Sequence, residues 1–212
     1  MRRHFIRSAL AAALAVALGL PPTNATEPRT ILVVGDSLSA EFGLPRGSGW
    51  VALLEHKLAA EKIAARVVNA SISGDTTAGG RARLPSLLKT HQPAVVVIEL
   101  GANDALRGLP LDTTEANLAA MTQATRQAGA KVLLAGMQMP PNYGAGYNRR
   151  LQDLFARVAK EHDAALVPFF LKGVADRPDA LAWFQPDGIH PTAEAHPTIL
   201  ANLWPDLQRL LK

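Results

Sequence analysis

Short apolar runs alternate with longer segments of helical periodicity along most of the chain. Each run is rich in Val, Ile, Leu or Ala, a pattern typical of a short strand buried on both faces. Such strands are predicted at 31–34, 66–69, 94–100, 131–135 and 165–167. The run AVVVIEL at 94–100 is the strongest of these signals and is expected to form the central strand.

Apolar residues recur at helical spacing between the strand-like runs. They predict helices at 50–62, 77–89, 112–128, 148–162 and 192–211. Ser48 is expected to cap the first of these helices, Asp112 and Glu115 have the spacing of a capping box, and Gly129 is expected to close the third helix. Prolines expected to interrupt, kink or break a helix stand at three positions, Pro85, Pro197 and Pro205.

This alternation of strands and helices predicts a three-layer α/β/α fold around a five-stranded parallel sheet. A flavodoxin-like, doubly wound sheet has the strand order 2-1-3-4-5, which brings the ends of the first and third strands together beside the switch point. No internal repeat or interdomain linker interrupts the pattern, so one domain is expected.

The N-terminal segment has the pattern of a secretory signal. Three arginines near the start precede an apolar stretch at 9–20 and a small-residue site at 23–25. The apolar stretch is shorter than the roughly 20 residues needed to cross a bilayer, and Pro21 and Pro22 end it. We therefore expect a signal peptide at 1–25, cleavage after Ala25, a single domain at 26–212, and a periplasmic or secreted location.

Composition narrows the functional classes further. The formal net charge of +4 falls to +1 once the three signal arginines are removed, so a nucleic-acid partner is not expected. The chain has no cysteine, which excludes disulfides, cysteine-ligated metals and a thiol nucleophile. At 48% hydrophobic residues, the chain has enough apolar material to form a core without disulfides.

Small and polar residues follow each of the first three predicted strands. Ser37 follows the first strand, Gly74 the second and Asn103 the third. In an open α/β sheet, ligands bind at the carboxyl ends of strands. A hydroxyl nucleophile, a closely approachable backbone and a side-chain amide are parts that an acyl-transfer site needs. A serine that merely caps a turn remains an alternative for Ser37.

His190 is the best candidate for the missing base. It lies in a turn-rich segment at 183–191, and Asp187, three residues earlier, is close enough to orient its imidazole. An N-cap aspartate with an incidental histidine is the alternative. The other histidines fall in the signal or in predicted helical segments: His4, His56, His91, His162 and His196.

Four motifs together resemble the SGNH, or GDSL, hydrolase family. They are GDSLS at 35–39, ISGDTT around Gly74, GAND at 101–104 and DGIHP at 187–191, in the order of the family's blocks. The similarity is greatest to its bacterial exported subgroup of thioesterases, arylesterases and lysophospholipases. The resemblance implies the SGNH hydrolase fold, a catalytic triad of Ser37, Asp187 and His190, and oxyanion donors on Ser37, Gly74 and Asn103.

The resemblance also implies a small-molecule acyl ester, thioester or lysophospholipid as substrate, with no cofactor. In similar enzymes the segment at 105–110 moves over bound acyl substrate, although an ordinary loop is the alternative here. Residues expected to contact substrate are Leu38, Leu106, Leu109, Tyr143 and Ile189. Met139 and Pro140 are expected to join Tyr143 in an apolar wall, while Trp183 and Phe184 fit either the groove or the core.

Several charged residues near the motifs admit more than one interpretation. Arg107 could meet an anionic head group, or simply be solvated. Asp36 is expected to hydrogen-bond the turn backbone and fix the geometry of the serine. No metal site is expected, because Asp36, Glu99, Asp104 and Asp187 form no recognised metal motif.

Two other functions stay open at this point. A carbohydrate O-deacetylase could use the same scaffold, and a non-catalytic lipid-binding protein could keep the fold without the chemistry. Whichever of these functions the protein has, we expect a monomer. Transient contact with membrane lipids is possible for a lysophospholipid substrate.

Overall fold

The computed structural model describes residues 28–212, so the predicted signal peptide at 1–25 lies outside the described residues. The strands are β1 (Arg29–Gly35), β2 (Ala65–Asn69), β3 (Val95–Glu99), β4 (Lys131–Ala135) and β5 (Ala165–Val167). All neighbouring strands pair in parallel, in the order β2-β1-β3-β4-β5. The predicted α/β fold class, the strand order and the central position of β3 are confirmed.

Helices cover both faces of this sheet. They are α1 (Trp50–Ala60), α2 (Thr77–His91), α3 (Ala102–Leu106), α4 (Leu111–Gln127), α5 (Ala145–Glu161) and α6 (His196–Leu210), with 3-10 helices at Pro141–Tyr143, Ala180–Trp183 and Ala193–Ala195. Helix α1 packs on α6, while α4 packs on both α2 and α5. The side chains of 31–34 and 95–98 are almost completely inaccessible, because helices exclude water from both faces of the central strands.

The predicted caps of two helices are wrong. Ser48 donates its hydroxyl to a carbonyl oxygen of the preceding loop, and no side chain caps α1. Asp112 and Glu115 form no capping box, because α4 already begins at Leu111 and the Glu115 carboxylate accepts hydrogen bonds from Arg157 instead. The Glu115 carboxylate is thus taken by a tertiary contact, whereas Ser48 bonds within its own loop.

The prolines disturb the helices less than their positions in the sequence suggest. Helix α2 continues through Pro85, whose side chain is exposed, so the carbonyl that loses its hydrogen bond lies on the solvated side. Helix α6 likewise contains Pro205. Pro197 lies in the first turn of α6, where a backbone N–H has no helical partner to lose. In the part of the chain from 28 to 212, no helix combines the length and the hydropathy needed to cross a bilayer.

Candidate active site

Ser37 lies in the sharp turn that follows β1. Asp36 stabilises this turn, since its Oδ1 accepts a hydrogen bond from the Leu38 N–H at 3.0 Å. The Asp36 N–H in turn donates to Glu99 Oε2, at the end of the adjacent strand β3, at 3.3 Å. Because β1 and β3 pair in parallel, with Gly35 opposite Glu99, the turn and Glu99 lie at the same carboxyl edge of the sheet.

The structure brings Ser37 and His190 together at this edge. His190 Nε2 lies 2.9 Å from Ser37 Oγ, and His190 Nδ1 lies 2.6 Å from Asp187 Oδ2. With a proton on Nδ1, the imidazole donates to the carboxylate and presents Nε2 as an acceptor to the serine hydroxyl. This is the geometry in which an imidazole can take a proton from a serine.

Backbone groups fix the carboxylate that faces the imidazole. Asp187 Oδ1 accepts hydrogen bonds from the N–H groups of Ile189 and His190, at 2.9 and 3.0 Å. Desolvation raises the pKa of the Asp187 carboxyl, but these N–H groups and the imidazole outweigh it and bring the pKa to about 2. Asp187 is therefore ionised across the whole neutral and mildly acidic range.

Phe42 and Gln185 add support to the histidine loop. The Phe42 ring packs against the His190 imidazole, with 4.4 Å between ring centroids. Gln185 Nε2 donates to the carbonyl oxygens of Phe42 and Pro191, at 2.9 and 3.1 Å. One amide thus ties the loop after β1 to the loop that carries the imidazole.

Three groups that follow different strands are candidate oxyanion donors. Within residues 28–212, neither the Ser37 N–H nor the Gly74 N–H donates to a protein acceptor. The third group is Asn103 Nδ2, which donates one of its two hydrogens to Asp36 Oδ2 at 2.9 Å and leaves the other for a ligand. Asn103 lies in α3, a short helix directly after β3 that the sequence pattern did not predict.

Gly74 is held in place by Arg107. Gly74 has a φ of +78°, a conformation that residues with a Cβ rarely adopt. The Arg107 guanidinium donates to the Gly74 carbonyl oxygen at 2.7 Å, which fixes the peptide plane on the far side of this residue. Arg107 is exposed to solvent, as expected, and its guanidinium also contacts the loop after β2.

Two buried carboxyls lie beneath the nucleophile turn. Asp36 is 1% exposed and Glu99 is 0% exposed. Burial raises the pKa of Asp36 to about 6, against the hydrogen bond from Leu38 and the charge of His190. Burial, together with the nearby Asp36 carboxylate, raises the pKa of Glu99 well above its usual range. This shift favours the neutral form of the Glu99 carboxyl.

An apolar cavity of about 530 Å³ opens beside Ser37. The loops after β1, β3 and β4 and the segment after β5 all contribute to its lining. Its apolar lining comes from Leu38, Ala102, Leu106, Met137, Met139, Pro140, Pro141, Phe169, Leu171, Ala175, Ala180, Leu181, Phe184 and Ile189. This volume and lining are typical of a pocket for a small, largely apolar ligand.

Not all of the residues expected to contact substrate lie at this cavity. Leu38, Leu106 and Ile189 line it, whereas Leu109 and Tyr143 do not. Tyr143 belongs to the 3-10 helix Pro141–Tyr143 and packs towards Tyr147. Leu109 follows α3 and is exposed to solvent outside the cavity. Trp183 and Phe184 were each expected either in the groove or in the core. Phe184 lines the cavity, and Trp183 does not.

Part of the cavity lining could not be predicted from the sequence. Phe169, Leu171, Ala180 and Leu181 come from an irregular segment whose only regular element is the 3-10 helix Ala180–Trp183. Apolar residues in such a segment show neither helical nor strand periodicity, so no pattern pointed to them. Among residues 28–212, no cluster of three or more histidines and carboxylates is arranged to hold a metal ion.

Most of the chain is similar to known hydrolases of one family. Residues 33–197 match the model of the GDSL-like Lipase/Acylhydrolase family. The chain is 53% identical to esterase TesA of Pseudomonas aeruginosa over 89% of this chain and 92% of that protein. It is 44% identical to thioesterase 1/protease 1/lysophospholipase L1 of Escherichia coli K12, over 86% of this chain and 85% of that protein.

A solved structure extends the likeness to three dimensions. The crystal structure of TesA superposes with a TM-score of 0.83 at 54% identity and covers 86% of this chain and 99% of that one. The region 33–197 that matches the family model contains the nucleophile turn, the Asn103 helix and the histidine loop. The chain belongs to the GDSL-like lipase/acylhydrolase family.

Proposed function

We propose that this protein is a serine hydrolase that cleaves carboxylic esters and thioesters of acyl chains through an acyl-enzyme on Ser37. One arrangement carries the proposal: His190 Nε2 lies 2.9 Å from Ser37 Oγ while Asp187 Oδ2 holds the opposite ring nitrogen at 2.6 Å. Similarity to an esterase and to a thioesterase with lysophospholipase activity supports both leaving-group classes.

The first half-reaction acylates the serine. His190 Nε2 takes the Ser37 proton as Oγ bonds to the carbonyl carbon, and Asp187 stabilises the imidazolium that forms. The tetrahedral intermediate collapses when the bond to the leaving oxygen or sulfur breaks, and His190 gives its proton to that atom. The alcohol or thiol departs, and the acyl group stays on Ser37.

The second half-reaction releases the acid. A water molecule gives its proton to His190 and attacks the acyl carbon, the bond to Ser37 Oγ breaks, and His190 returns the proton to the serine. In both halves the charged oxygen accepts hydrogen bonds from the Ser37 and Gly74 N–H groups and from Asn103 Nδ2. Such donors act best on the charge that develops in the transition state.

The cavity favours acyl chains over sugars as the group next to the carbonyl. Phe169, Leu171 and Leu181 offer dispersion contacts to methylene groups, while Gln138 and Asp176 are the polar side chains of the lining outside the reacting groups and Asp36. Sugar hydroxyls buried against the apolar residues would stay unpaired, at a cost of about 1–3 kcal/mol each. A carbohydrate deacetylase is therefore the weaker alternative.

Exposed apolar side chains at the active-site edge support transient contact with lipid surfaces. In the described part of the chain, all the large hydrophobic residues that remain exposed follow the carboxyl ends of strands: Phe42, Ile72, Leu106, Leu109, Leu181 and Ile189. Leu181, which lines the cavity, is 83% exposed. An apolar rim around an acyl site suits a lysophospholipid taken from a lipid aggregate.

We also propose that the mature enzyme is exported and acts as a monomer. The signal-like pattern at 1–25 supports a periplasmic or secreted location. Every group assigned to the reaction comes from a single chain, so the chemistry requires no second copy.

The decisive experiment compares Ser37→Ala with Ser48→Ala in the mature protein. We expect Ser37→Ala to abolish hydrolysis of p-nitrophenyl and coenzyme A esters of the same acyl chain, and to prevent labelling by a fluorophosphonate probe. Ser48→Ala, at a half-buried serine whose hydroxyl donates to the Pro45 carbonyl oxygen, should behave as wild type. Turnover retained by Ser37→Ala would remove this residue from the mechanism. A wild-type protein that neither labels nor hydrolyses would favour a non-catalytic lipid-binding function.

A further inference from the structure

Glu99 is a buried carboxyl that the reaction scheme does not use. It ends the central strand β3 and is completely inaccessible to solvent. A Cβ added at Gly35, on the neighbouring strand, would lie 2.8 Å from Glu99 Oε2. The chain therefore has a glycine where any larger residue would push this carboxyl away. Such close packing around a costly buried acid indicates that the acid has a defined role.

The hydrogen bonds of Glu99 lead to the nucleophile turn. Glu99 Oε2 accepts from the Ser39 hydroxyl at 2.7 Å and from the Asp36 N–H at 3.3 Å. Ser39 Oγ itself accepts from Trp50 Nε1 at 3.1 Å, so the serine hydroxyl has its proton directed at Glu99. Glu99 thus holds the residues on both sides of Ser37.

The same connection continues to an oxyanion donor. The Asp36 side chain, whose backbone N–H is held by Glu99, accepts from Asn103 Nδ2 at 2.9 Å. The Asp36 carboxylate also raises the pKa of the Glu99 carboxyl by its charge, and no cation is paired with Glu99 in any ion pair among residues 28–212. Two neighbouring carboxylates without a cation would repel each other. A proton on Glu99, whose Oε1 has no hydrogen-bond partner in the described chain, relieves this repulsion.

We propose that Glu99 is a positioning residue for the hydrolase reaction: it holds Asp36 beneath the nucleophile turn and, through Asp36, orients the Asn103 amide towards the oxyanion. This inference rests on the proposed function. Burial and the nearby Asp36 carboxylate favour the neutral form of Glu99 in this role. It touches neither substrate nor the reacting atoms.

A pair of substitutions separates this role from simple packing. Glu99→Gln keeps a neutral side chain with an oxygen acceptor for Ser39 and the Asp36 N–H, so its kcat should remain within about threefold of wild type. Glu99→Leu removes the acceptor and leaves both donors unpaired. Its kcat should fall about 10- to 100-fold with KM within about threefold, because a misplaced oxyanion donor affects the transition state more than the ground state.

Val97→Ala is the matched control. Val97 lies two residues before Glu99 on the same strand and is fully buried, but it makes no polar contact with the turn. It should lower the thermal midpoint as a cavity-forming core substitution does, while kcat stays within about twofold of wild type at a temperature where the protein is folded. Equal kcat losses in Val97→Ala and Glu99→Leu would overturn the positioning role.

A double-mutant cycle with Asn103→Ala tests the connection itself. If Glu99 acts through Asp36 and Asn103, Glu99→Leu should cost much less kcat in the Asn103→Ala background than in wild type. Additive losses would overturn this route. A loss in Glu99→Gln as large as that in Glu99→Leu would overturn the neutral-acid role.

Should Glu99→Leu fail to fold, Ser39→Ala deletes the 2.7 Å hydrogen bond from the other side. It should lower kcat several-fold, again with KM little changed, and an unchanged kcat would overturn the proposal. All variants are compared with a wild-type enzyme that turns over ester and labels at Ser37, so failure of the proposed function is detected separately.

Discussion

His190 Nε2 lies 2.9 Å from Ser37 Oγ, although 153 positions separate the two residues in the chain. The contact follows from the topology, since the turn after β1 and the loop that follows β5 both lie at the carboxyl edge of one parallel sheet. Gln185 reinforces it by bonding the carbonyl oxygen of Phe42 and that of Pro191. Two distant parts of the chain are thus joined by hydrogen bonds that do not involve the reacting atoms.

Asp187→Asn should remove most of the activity without unfolding the histidine loop. The asparagine oxygen can still accept from the Ile189 and His190 N–H groups. However, an amide supplies no charge to the imidazolium and allows the wrong tautomer, so we expect kcat to fall by about 10³-fold or more. Steady-state kinetics on a p-nitrophenyl ester at neutral pH measures the loss.

Asp179→Asn provides the control for that change. Asp179 lies in the same region after β5 and pairs with Arg177 at the surface. Its substitution should leave kcat within about twofold of wild type, as expected for an exposed ion pair. A loss of less than tenfold in Asp187→Asn would show that the imidazole needs no charged partner here.

Asn103→Ala should lower kcat far more than it changes KM. The amide hydrogen not bonded to Asp36 is free for an oxyanion, and removing one such donor typically costs about 10²- to 10³-fold in rate. KM should change by about threefold at most, because the neutral ester carbonyl accepts a weaker hydrogen bond. Full progress curves over a range of ester concentrations separate the two constants.

Asn117→Ala is the comparison for that substitution. Asn117 is buried, and its amide donates to the Thr77 hydroxyl between α2 and α4. It should reduce the thermal midpoint and spare kcat. A pure KM effect in Asn103→Ala would mean that its amide only binds substrate.

The strands and the reacting groups could be predicted from the sequence because both depend on local signals. Buried parallel strands are short apolar runs, and the structure confirms β4 and β5 at the predicted bounds. Polar residues directly after such runs lie at one edge of the sheet by geometry alone. This is why the sequence alone predicts Ser37 and Asn103 at the same edge of the sheet.

Features that depend on tertiary contacts could not be predicted in the same way. Glu99 lies near the end of the apolar run AVVVIEL. Nothing in this run shows that Gly35 leaves space for its carboxyl or that Ser39 donates a hydrogen bond to it. Glu115 has a capping spacing, yet a better partner, Arg157, is 42 positions away. Several apolar residues of the cavity lining come from the irregular segment after β5, which has no periodicity.

Asn148→Ala should weaken binding of long acyl chains and spare short ones. Asn148 holds the cavity wall at Met139 by two hydrogen bonds, accepting from the Met139 N–H at 2.6 Å and donating to its carbonyl oxygen at 2.9 Å. Without them the wall segment loosens, and each methylene that loses burial costs about 0.8 kcal/mol. We expect KM for a long-chain ester to rise about 3- to 10-fold, with acetate-ester kinetics unchanged.

Asn142→Ala tests whether any change in this loop has the same effect. Asn142 is exposed in the 3-10 helix Pro141–Tyr143 and makes no side-chain hydrogen bond with other residues in the range 28–212. Its KM profile across acyl lengths should match that of wild type. Equal sensitivity of short- and long-chain esters in Asn148→Ala would separate Met139 from acyl-chain binding.

His196→Gln should make the protein less sensitive to acid. His196 is 1% exposed, and its Nδ1 accepts from the Trp50 N–H at 2.9 Å at the start of α1. Burial outweighs the attraction of Glu41 and lowers the pKa of His196 from 6.5 to about 4. Protonation of Nδ1 would break this hydrogen bond and bury a charge.

The direction of the pH effect follows from the proton balance. Between pH 6.5 and about 4 the unfolded chain binds a proton at His196 that the folded chain does not. The stability due to the neutral imidazole is thus complete above pH 6.5 and is lost as the pH falls towards 4, by at most about 3 kcal/mol. Glutamine keeps an oxygen acceptor for Trp50 and does not titrate, so the free energy of unfolding of the His196→Gln variant should fall less over this window.

Urea titrations of wild type, His196→Gln and the exposed-site control His56→Gln at several pH values measure how steeply the free energy of unfolding depends on pH. Parallel slopes for wild type and His196→Gln would show that the acid sensitivity comes from other groups.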